Sequence, residues 1–126
     1  MAYEVEVERV LRAQQGLPSP VRARRGLAPL PPGEPIEVAL RAAVTFDDGH
    51  LTGRGWFLDT DALAERLDEW AAVLGDGPWT ARFPFRPTFE LVARHVFTEL
   101  SGTVAQLAWV ELADRTYGTR TRYRAP

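Results

Sequence analysis

The sequence predicts an α+β fold in which four antiparallel strands form one sheet and two helices cover one of its faces. Alternating apolar and polar residues mark strands near both ends of the chain, and two amphipathic helical segments lie between them. Strands before and after a pair of helices favour an antiparallel sheet with its helices on one side. Because the chain has 126 residues, a single domain over residues 1–126 is the expectation.

The first two predicted strands are separated by a proline-rich loop. From Tyr3 to Leu11, apolar residues alternate with polar ones, which predicts a half-buried strand. Residues 16–35 hold six of the ten prolines and are expected to form an irregular loop. The segment from Ile36 to Phe46 is the clearest strand, because apolar residues occupy every second position. A turn over residues 47–55 and an extended apolar segment over residues 55–59 are expected to follow.

The middle of the chain predicts two helices. The pattern DTDALAERLDEWAAVLG is typical of a helix that Asp59 or Thr60 caps and that Gly75 ends. Its apolar stripe consists of Leu63, Leu67, Trp70 and Leu74. Residues 76–86 are expected to form a loop, and PTFELVARHVFTELSG then predicts a second helix that ends at Gly102. The apolar stripe of this helix consists of Phe89, Val92, Val96 and Leu100.

The chain closes with two more predicted strands, Val104 to Leu112 and Thr116 to Arg124, the second of them more polar and expected at an edge. On the first of the two, Glu111 is expected to share a face with Leu107 and Trp109. A carboxylate on an otherwise apolar face is costly unless it is paired or hydrogen-bonded. Glu111 is therefore the strongest candidate for a functional residue.

The composition excludes several classes of function. A net charge of −2 gives no electrostatic reason to expect nucleic acid or an anionic membrane as partner. No apolar run approaches the ~20 residues of a membrane span, and no signal peptide is recognisable, so a cytoplasmic protein is expected. The absence of cysteine and lysine excludes disulfides, thiolate chemistry and a lysine Schiff base.

Three segments in a fixed order resemble a known family. They are GWFLDTDALAERL, RPTFELVARHVFTEL and LAWVEL, followed by a tyrosine-bearing terminal strand. This set is similar to the 6-pyruvoyl-tetrahydropterin synthase and 6-carboxy-tetrahydropterin synthase family of tunnelling-fold proteins. The resemblance implies a ββααββ subunit that assembles into trimers or hexamers, with the strands forming a barrel and the active sites between subunits.

The resemblance also implies a catalytic zinc site, and this chain departs from it. The family binds zinc through three histidines, but here Gln15 stands at the first position and Pro32–Glu34 replaces the His-Gly-His segment. The family's catalytic cysteine has no counterpart, and its Asp-His pair falls near Leu74 and Gly75. The position of the carboxylate that holds the pterin ring is occupied by Glu111. We therefore expect a divergent member with no zinc and no other cofactor.

The two histidines offer little to rebuild a metal site. His50 lies beside Asp47 and Asp48, which is compatible with a metal cluster but more typical of a solvated turn. His95 lies on the second helix away from the apolar stripe and is expected to be partly exposed or to lie at an interface.

The candidate site therefore rests on two carboxylates. Glu111 is the proposed substrate anchor, with the alternative of a strand-end glutamate paired to Arg120 or Arg122. Glu34 is the possible base, with the alternative of a turn residue. The further candidates for substrate binding are Gln15, Arg54, Thr88 and Trp109.

Three functions stay open from the sequence. The first is a zinc-independent cyclase, lyase or isomerase that acts on a small planar or aromatic metabolite in specialised biosynthesis. The second is a catalytically inactive homologue that binds a ligand, and the third is a structural or partner subunit that assembles with an active paralogue or another protein. The fold itself predicts a homo-oligomer, because an isolated four-stranded sheet exposes two edges that a barrel between subunits would remove.

Overall fold

The computed structural model describes residues 2–17, 24–26 and 35–126. In chain order the elements are β1 (Tyr3–Ala13), β2 (Ile36–Phe46), α1 (Thr60–Leu74), α2 (Trp79–Arg82), α3 (Phe89–Ser101), β3 (Leu107–Asp114) and β4 (Thr119–Arg124). All neighbouring strands are antiparallel, and the sheet has the order β1-β2-β3-β4. The predicted α+β fold class is confirmed.

One face of the sheet forms the hydrophobic core with the two long helices. Helix α1 lies mainly against β1 and β2, and α3 lies against β3 and β4. The strands contribute alternate residues, as their apolar periodicity predicts. The deeply buried core side chains include Val38, Leu40, Ala42, Val44, Leu63, Leu67, Leu74, Trp79, Val92, Val96, Leu100, Val110 and Leu112. The opposite face carries no helix of the described chain.

Both long helices begin at a side-chain cap, and the cap of the first is the predicted Asp59. The carboxylate of Asp59 accepts a hydrogen bond from the backbone N–H of Asp61 at 3.0 Å. The hydroxyl of Thr88 accepts one from the backbone N–H of Leu91 at 3.2 Å. Each side chain thus satisfies an N–H that the first helical turn leaves unpaired.

Gly75 ends α1 for a steric reason. Its backbone stays right-handed at φ −90, so a left-handed cap is not what requires glycine here. A Cβ at this position would lie 3.1 Å from the carbonyl oxygen of Ala71 and 3.5 Å from that of Arg12. Glycine therefore allows the end of α1 to approach the backbone of β1 closely.

Two predicted boundaries in the middle of the chain are wrong. Residues 55–59 form bends and irregular backbone, not an extended segment, and Gly55 adopts φ 78. The expected loop over residues 76–86 contains the short helix α2. Trp79 within it is completely buried, and its indole N–H donates to the carbonyl oxygen of Leu74 at 2.8 Å. Burial of this ring explains why an ordered turn replaces a loop.

The last two strands start later than predicted. Residues 103–106 form a turn in which Gln106 has φ 62, so β3 begins at Leu107 and not at Val104. Residues 115–118 form the hairpin turn before β4, so that strand begins at Thr119 and not at Thr116.

A β-bulge changes the face of one predicted residue. Ala43 of β2 pairs with Trp109, but the next residue, Val44, pairs with Leu107, which leaves Ala108 without a partner. Leu107 consequently belongs to the core under the helices, whereas Trp109 does not. The expectation that Leu107 shares the face of Glu111 is wrong for this reason.

No helix in the described part of the chain is long and apolar enough to cross a membrane.

The described core predicts that two side-chain truncations differ greatly in how much they lower the free energy of unfolding. Leu67→Ala removes a completely buried side chain, and we expect it to lower the free energy of unfolding by about 2–5 kcal/mol. Val10→Ala removes a side chain that is 46% exposed on β1, and we expect a change below about 0.5 kcal/mol. Urea unfolding followed by circular dichroism measures both, and similar losses in the two variants would contradict the described core.

Candidate functional site

The face of the sheet that bears no helix, here called the helix-free face, carries an unusual row of charges. Cross-strand pairing aligns Glu8 of β1 with Arg41 of β2, Arg41 with Glu111 of β3, and Glu111 with Arg122 of β4. This charged row crosses all four strands with alternating sign. Opposite charges directly across a strand pair stabilise a sheet.

Glu111 is the most deeply buried member of the charged row, at 2% exposure. Its Oε1 accepts hydrogen bonds from Nε of Arg122 at 3.2 Å and from Nη2 of Arg122 at 2.9 Å. Its Oε2 accepts one from Nη1 of Arg41 at 3.1 Å. Pairing with two guanidinium groups accounts for a buried carboxylate at this position.

Arg41 connects the buried carboxylate to the acidic strand β1. It forms ion pairs with Glu6 and with Glu8, the second at 3.6 Å, in addition to its bond to Glu111. Burial lowers the pKa of Arg41, but the hydrogen bond to Glu111 and the charges of Glu6 and Glu111 outweigh that effect, so its pKa lies above the ordinary value. Arg41 therefore remains a cation at any working pH.

Trp109 lies beneath these charged side chains. Its exposure is 1%, and its indole N–H donates to Oε1 of Glu4 at 2.8 Å. The guanidinium carbon of Arg122 lies 3.6 Å from the ring centroid, and that of Arg41 lies 5.7 Å from it. These are cation–π distances. A ligand that stacks on this ring must first displace Arg122.

The acceptor capacity of Glu111 is nearly used. An ionised carboxylate offers about four lone-pair positions, and three N–H donors from described residues already occupy it. About one position on Oε2 is left by the described residues.

A cavity of about 210 Å³ opens on the helix-free face beside Glu111. Arg41 and Glu111 line one side, Ala39 and Ala113 form the floor, and Arg120 of β4 lies at the other side. The cavity exists because the two alanines do not fill the space that the longer side chains of the charged row occupy. It places Glu111 at a concave surface that a small molecule can enter.

The other predicted substrate-binding residues lie elsewhere. Gln15 follows β1, and its amide is engaged at both ends, since it donates to the carbonyl oxygen of Pro87 at 3.2 Å and accepts from the N–H of Leu17 at 3.3 Å. Thr88 lies next to Pro87 and caps α3, so Gln15 and Thr88 belong to one neighbourhood. Arg54 is exposed in the turn after β2, beyond the opposite end of the sheet.

Glu34, the predicted base, lies outside the described residues, as does the rest of the Pro32–Glu34 segment. Its role stays a prediction.

Neither histidine forms a metal cluster with its described neighbours. His50 accepts a hydrogen bond at Nδ1 from the backbone N–H of Asp47 at 3.0 Å, within a short 3-10 turn. His95 packs its ring against those of Trp70, Phe83 and Phe85. Within residues 2–17, 24–26 and 35–126, no three potential ligands among His, Asp and Glu are grouped to hold a metal ion. The expected absence of zinc stays a prediction.

A second, more apolar cavity of about 370 Å³ lies at the end of the sheet where β1 begins and β2 ends. Tyr3, Phe46 and Phe57 stack along it with ring centroids 5.3 and 5.0 Å apart, and the half-exposed Trp56 is on its rim. The phenol of Tyr3 donates a hydrogen bond to Asp48, and this bond, together with the charge of Asp48, raises the pKa of Tyr3.

Sequence reasoning missed Arg41 as a site residue. The strand pattern does indicate it, because Arg41 interrupts an otherwise apolar run in β2 and lies on the same side of the strand as Ala39 and Ala43. Only the register of β2 against β3 shows that this guanidinium lies directly opposite Glu111.

Comparison with known proteins identifies a structural relative. No protein family matches the sequence, and no curated protein matches it either. The structure of 6-pyruvoyl tetrahydropterin synthase from Caenorhabditis elegans superimposes with a TM-score of 0.71 over 98% of this chain and 97% of that chain, at 16% sequence identity. The likeness shows that this chain has the tunnelling fold of that protein.

The pairing of Glu111 predicts the cost of removing its charge. Glu111→Gln turns an amide N–H₂ toward Arg41 or Arg122 and removes the balancing carboxylate, so we expect the free energy of unfolding to fall by about 2 kcal/mol. Glu65→Gln, an exposed position on α1, is the matched control and is expected to change stability by less than about 0.5 kcal/mol. Equal effects in urea unfolding would contradict the assigned role of the buried ion pairs.

Proposed function

We propose that this protein is a zinc-independent relative of the pterin synthases that acts on a small planar or aromatic metabolite as a cyclase, lyase or isomerase. The observation that supports this proposal is the buried carboxylate of Glu111 at the wall of a cavity on the helix-free face. In this proposal the carboxylate of Glu111 anchors the ring of the metabolite by accepting hydrogen bonds from the N–H groups of that ring. Glu34 is the base.

The chemistry of a reduced pterin fits such an anchor. The ring presents an amino group and a ring N–H side by side, and these match the two oxygens of one carboxylate. This pair of donors is similar in shape to the guanidinium edge that Arg122 now presents to Glu111. A ring with this edge therefore competes with Arg122 for the same acceptor.

The exchange of Arg122 for a ligand is sterically simple. Arg122 lies on the edge strand β4, and its side chain is 29% exposed, so it can rotate into solvent. Arg41 is held by three glutamates and stays in place to balance the charge of Glu111. The donor edge of the ligand would then bind the carboxylate oxygen that Arg122 vacates, and its ring would extend into the cavity beside Glu111. Roles for Gln15, Arg54 and Thr88 require a ligand or partner subunit that reaches their separate locations.

A catalytically inactive or structural homologue is the second candidate, and one observation favours it. Three N–H donors of the chain itself already occupy Glu111. If they are never displaced, the charged row serves only to stabilise the sheet, and the protein functions by binding elsewhere or by assembly.

We also propose that the chain forms a homo-oligomer, a trimer or a hexamer, through its sheet edges. Strands β1 and β4 are both edge strands, and exposed edges readily pair with other chains. On the helix-free face β1 carries Glu4, Glu6 and Glu8, whereas β4 carries three arginines, Arg120, Arg122 and Arg124. Opposite charges on the two edges favour pairing of β1 in one subunit with β4 in the next.

Binding of a pterin tests the anchor. We expect isothermal titration calorimetry to show binding by the wild type, a loss of at least about tenfold in affinity for Glu111→Gln, and unchanged or tighter binding for Arg122→Gln because the competitor is removed. Affinity should not change after dialysis against a chelator. Circular dichroism confirms that each variant is folded at the assay temperature.

Two results would reject the anchor. The first is equal affinity of wild type and Glu111→Gln for the pterin, and the second is no binding by any form. Either result would favour the structural homologue, in which Glu111 acts only through its ion pairs.

The proposed edge pairing predicts a salt- and charge-sensitive assembly. In sedimentation at micromolar concentration we expect a mass that is a multiple of the 14.1 kDa subunit. Arg124→Glu should weaken assembly by roughly three- to tenfold at low salt, since it places a like charge opposite β1. Arg94→Glu, on the exposed side of α3, is the control and should leave the mass unchanged. A strictly monomeric wild type contradicts the proposal.

A further inference from the structure

We propose that the cavity beside Glu111 binds the anionic group of a small ligand, and that Arg120 is the residue that holds it. This inference rests on the proposed function, because Glu111 lines the same cavity, and it names the class of metabolite: a small planar molecule that carries a carboxylate or a phosphate.

The register of the sheet explains the shape of the cavity. Ala39 of β2 pairs with Ala113 of β3, and Ala113 pairs with Arg120 of β4. This row has only methyl groups at its centre, and both alanines are buried. The adjacent charged row has long side chains at every position. The result is a flat apolar floor beside a wall of charged groups, which suits a planar ring with a charged substituent.

The carboxylates that line the cavity are all engaged. Glu8 pairs with Arg41 and Arg115. Glu111 accepts from Arg41 and Arg122. The carboxylate of Asp114 accepts from two backbone N–H groups of the hairpin turn, both at 3.0 Å.

The guanidinium groups of the cavity have donors to spare. Arg41 is shared among three glutamates, and Arg115 uses one nitrogen, at 3.2 Å from Glu8. Arg120 lines the cavity, and its guanidinium makes no hydrogen bond or ion pair with any other described residue. Each of the three carboxylates already has at least two partners, whereas the guanidinium of Arg120 has none among the described residues. An anion is the ligand that would satisfy this guanidinium.

A carboxylate is the group that Arg120 fits best in geometry. The planar guanidinium fork binds a carboxylate or phosphate through two parallel N–H bonds. A cavity of about 210 Å³ admits one small ring with its acidic substituent. With the substituent at Arg120, the ring lies on the alanine floor and its other edge points toward Glu111.

Arg120 has one competing partner in an oligomer. Pairing of edges would bring the glutamates of a second subunit's β1 next to β4, and one of these could neutralise Arg120 instead of a ligand. A substitution of Arg120 distinguishes the two roles. It lowers the affinity for an anion if Arg120 binds a ligand, and it changes the mass of the assembly if Arg120 pairs with a second subunit.

The test is a titration with three probes: benzoate, the neutral benzamide of the same size, and the smaller anion inorganic phosphate. We expect the wild type to bind at least one of the two anions, and Arg120→Gln to weaken that binding by about tenfold. Arg124→Gln is the matched control, since it lies on the same strand and face but does not line the cavity, and it should stay within about twofold. A response to benzoate alone identifies a carboxylate, and a response to phosphate alone identifies a phosphoryl group.

Four outcomes overturn the inference. One is equal anion affinity in wild type and Arg120→Gln, and another is an equal loss in both arginine variants. The third is an altered sedimentation mass for Arg120→Gln with unaltered anion affinity, which assigns Arg120 to the partner subunit. Benzamide or a pterin that binds in a Glu111-dependent manner, while both anions fail to bind, rejects the anionic ligand and leaves the proposed function standing.

Discussion

The ion pairing of Glu111 with Arg41 and Arg122 is the interaction on which the helix-free face depends. A carboxylate at 2% exposure is tolerated because two guanidinium groups replace the hydrogen bonds that water would supply. The same two cations cover Trp109 and make its burial possible without a helix above it. The structure of this face, its charge pattern and the access to its cavity all follow from those contacts.

This arrangement relates stability and binding in one group of side chains. A carboxylate that is balanced by residues of its own chain is stable in the free protein, whereas a carboxylate that is reserved for a ligand is costly until the ligand arrives. Arg122 is the member that can leave, because it lies at an edge and is partly exposed. Arg41 is the member that must stay, because three glutamates hold it. In the proposed function, ligand binding on this face would thus exchange the partners of a carboxylate that is already balanced in the free protein.

The sequence predicts those features that depend on residues close together in the chain. It does not predict those that depend on which residues of neighbouring strands lie opposite each other. The cap at Asp59, both long helices and the centre of each strand follow from patterns within a few residues. The late start of β3 and the burial of Trp79 depend on tertiary packing, which no local pattern reports. The choice between Arg120 and Arg122 as partner of Glu111 required the pairing of β3 with β4. Arg41 was missed because its partner is 70 residues away along the chain.

The bulge at Ala108 separates two requirements of β3 that would otherwise conflict. Leu107, before the bulge, faces the core, whereas Trp109 and Glu111, after it, face the helix-free side. Because the extra residue Ala108 absorbs the difference in phase, Leu107 can pack in the core while Glu111 keeps its place opposite Arg41. A one-residue insertion or deletion between the bulge and Glu111 would not be compensated in this way. It would turn Glu111 toward the hydrophobic core.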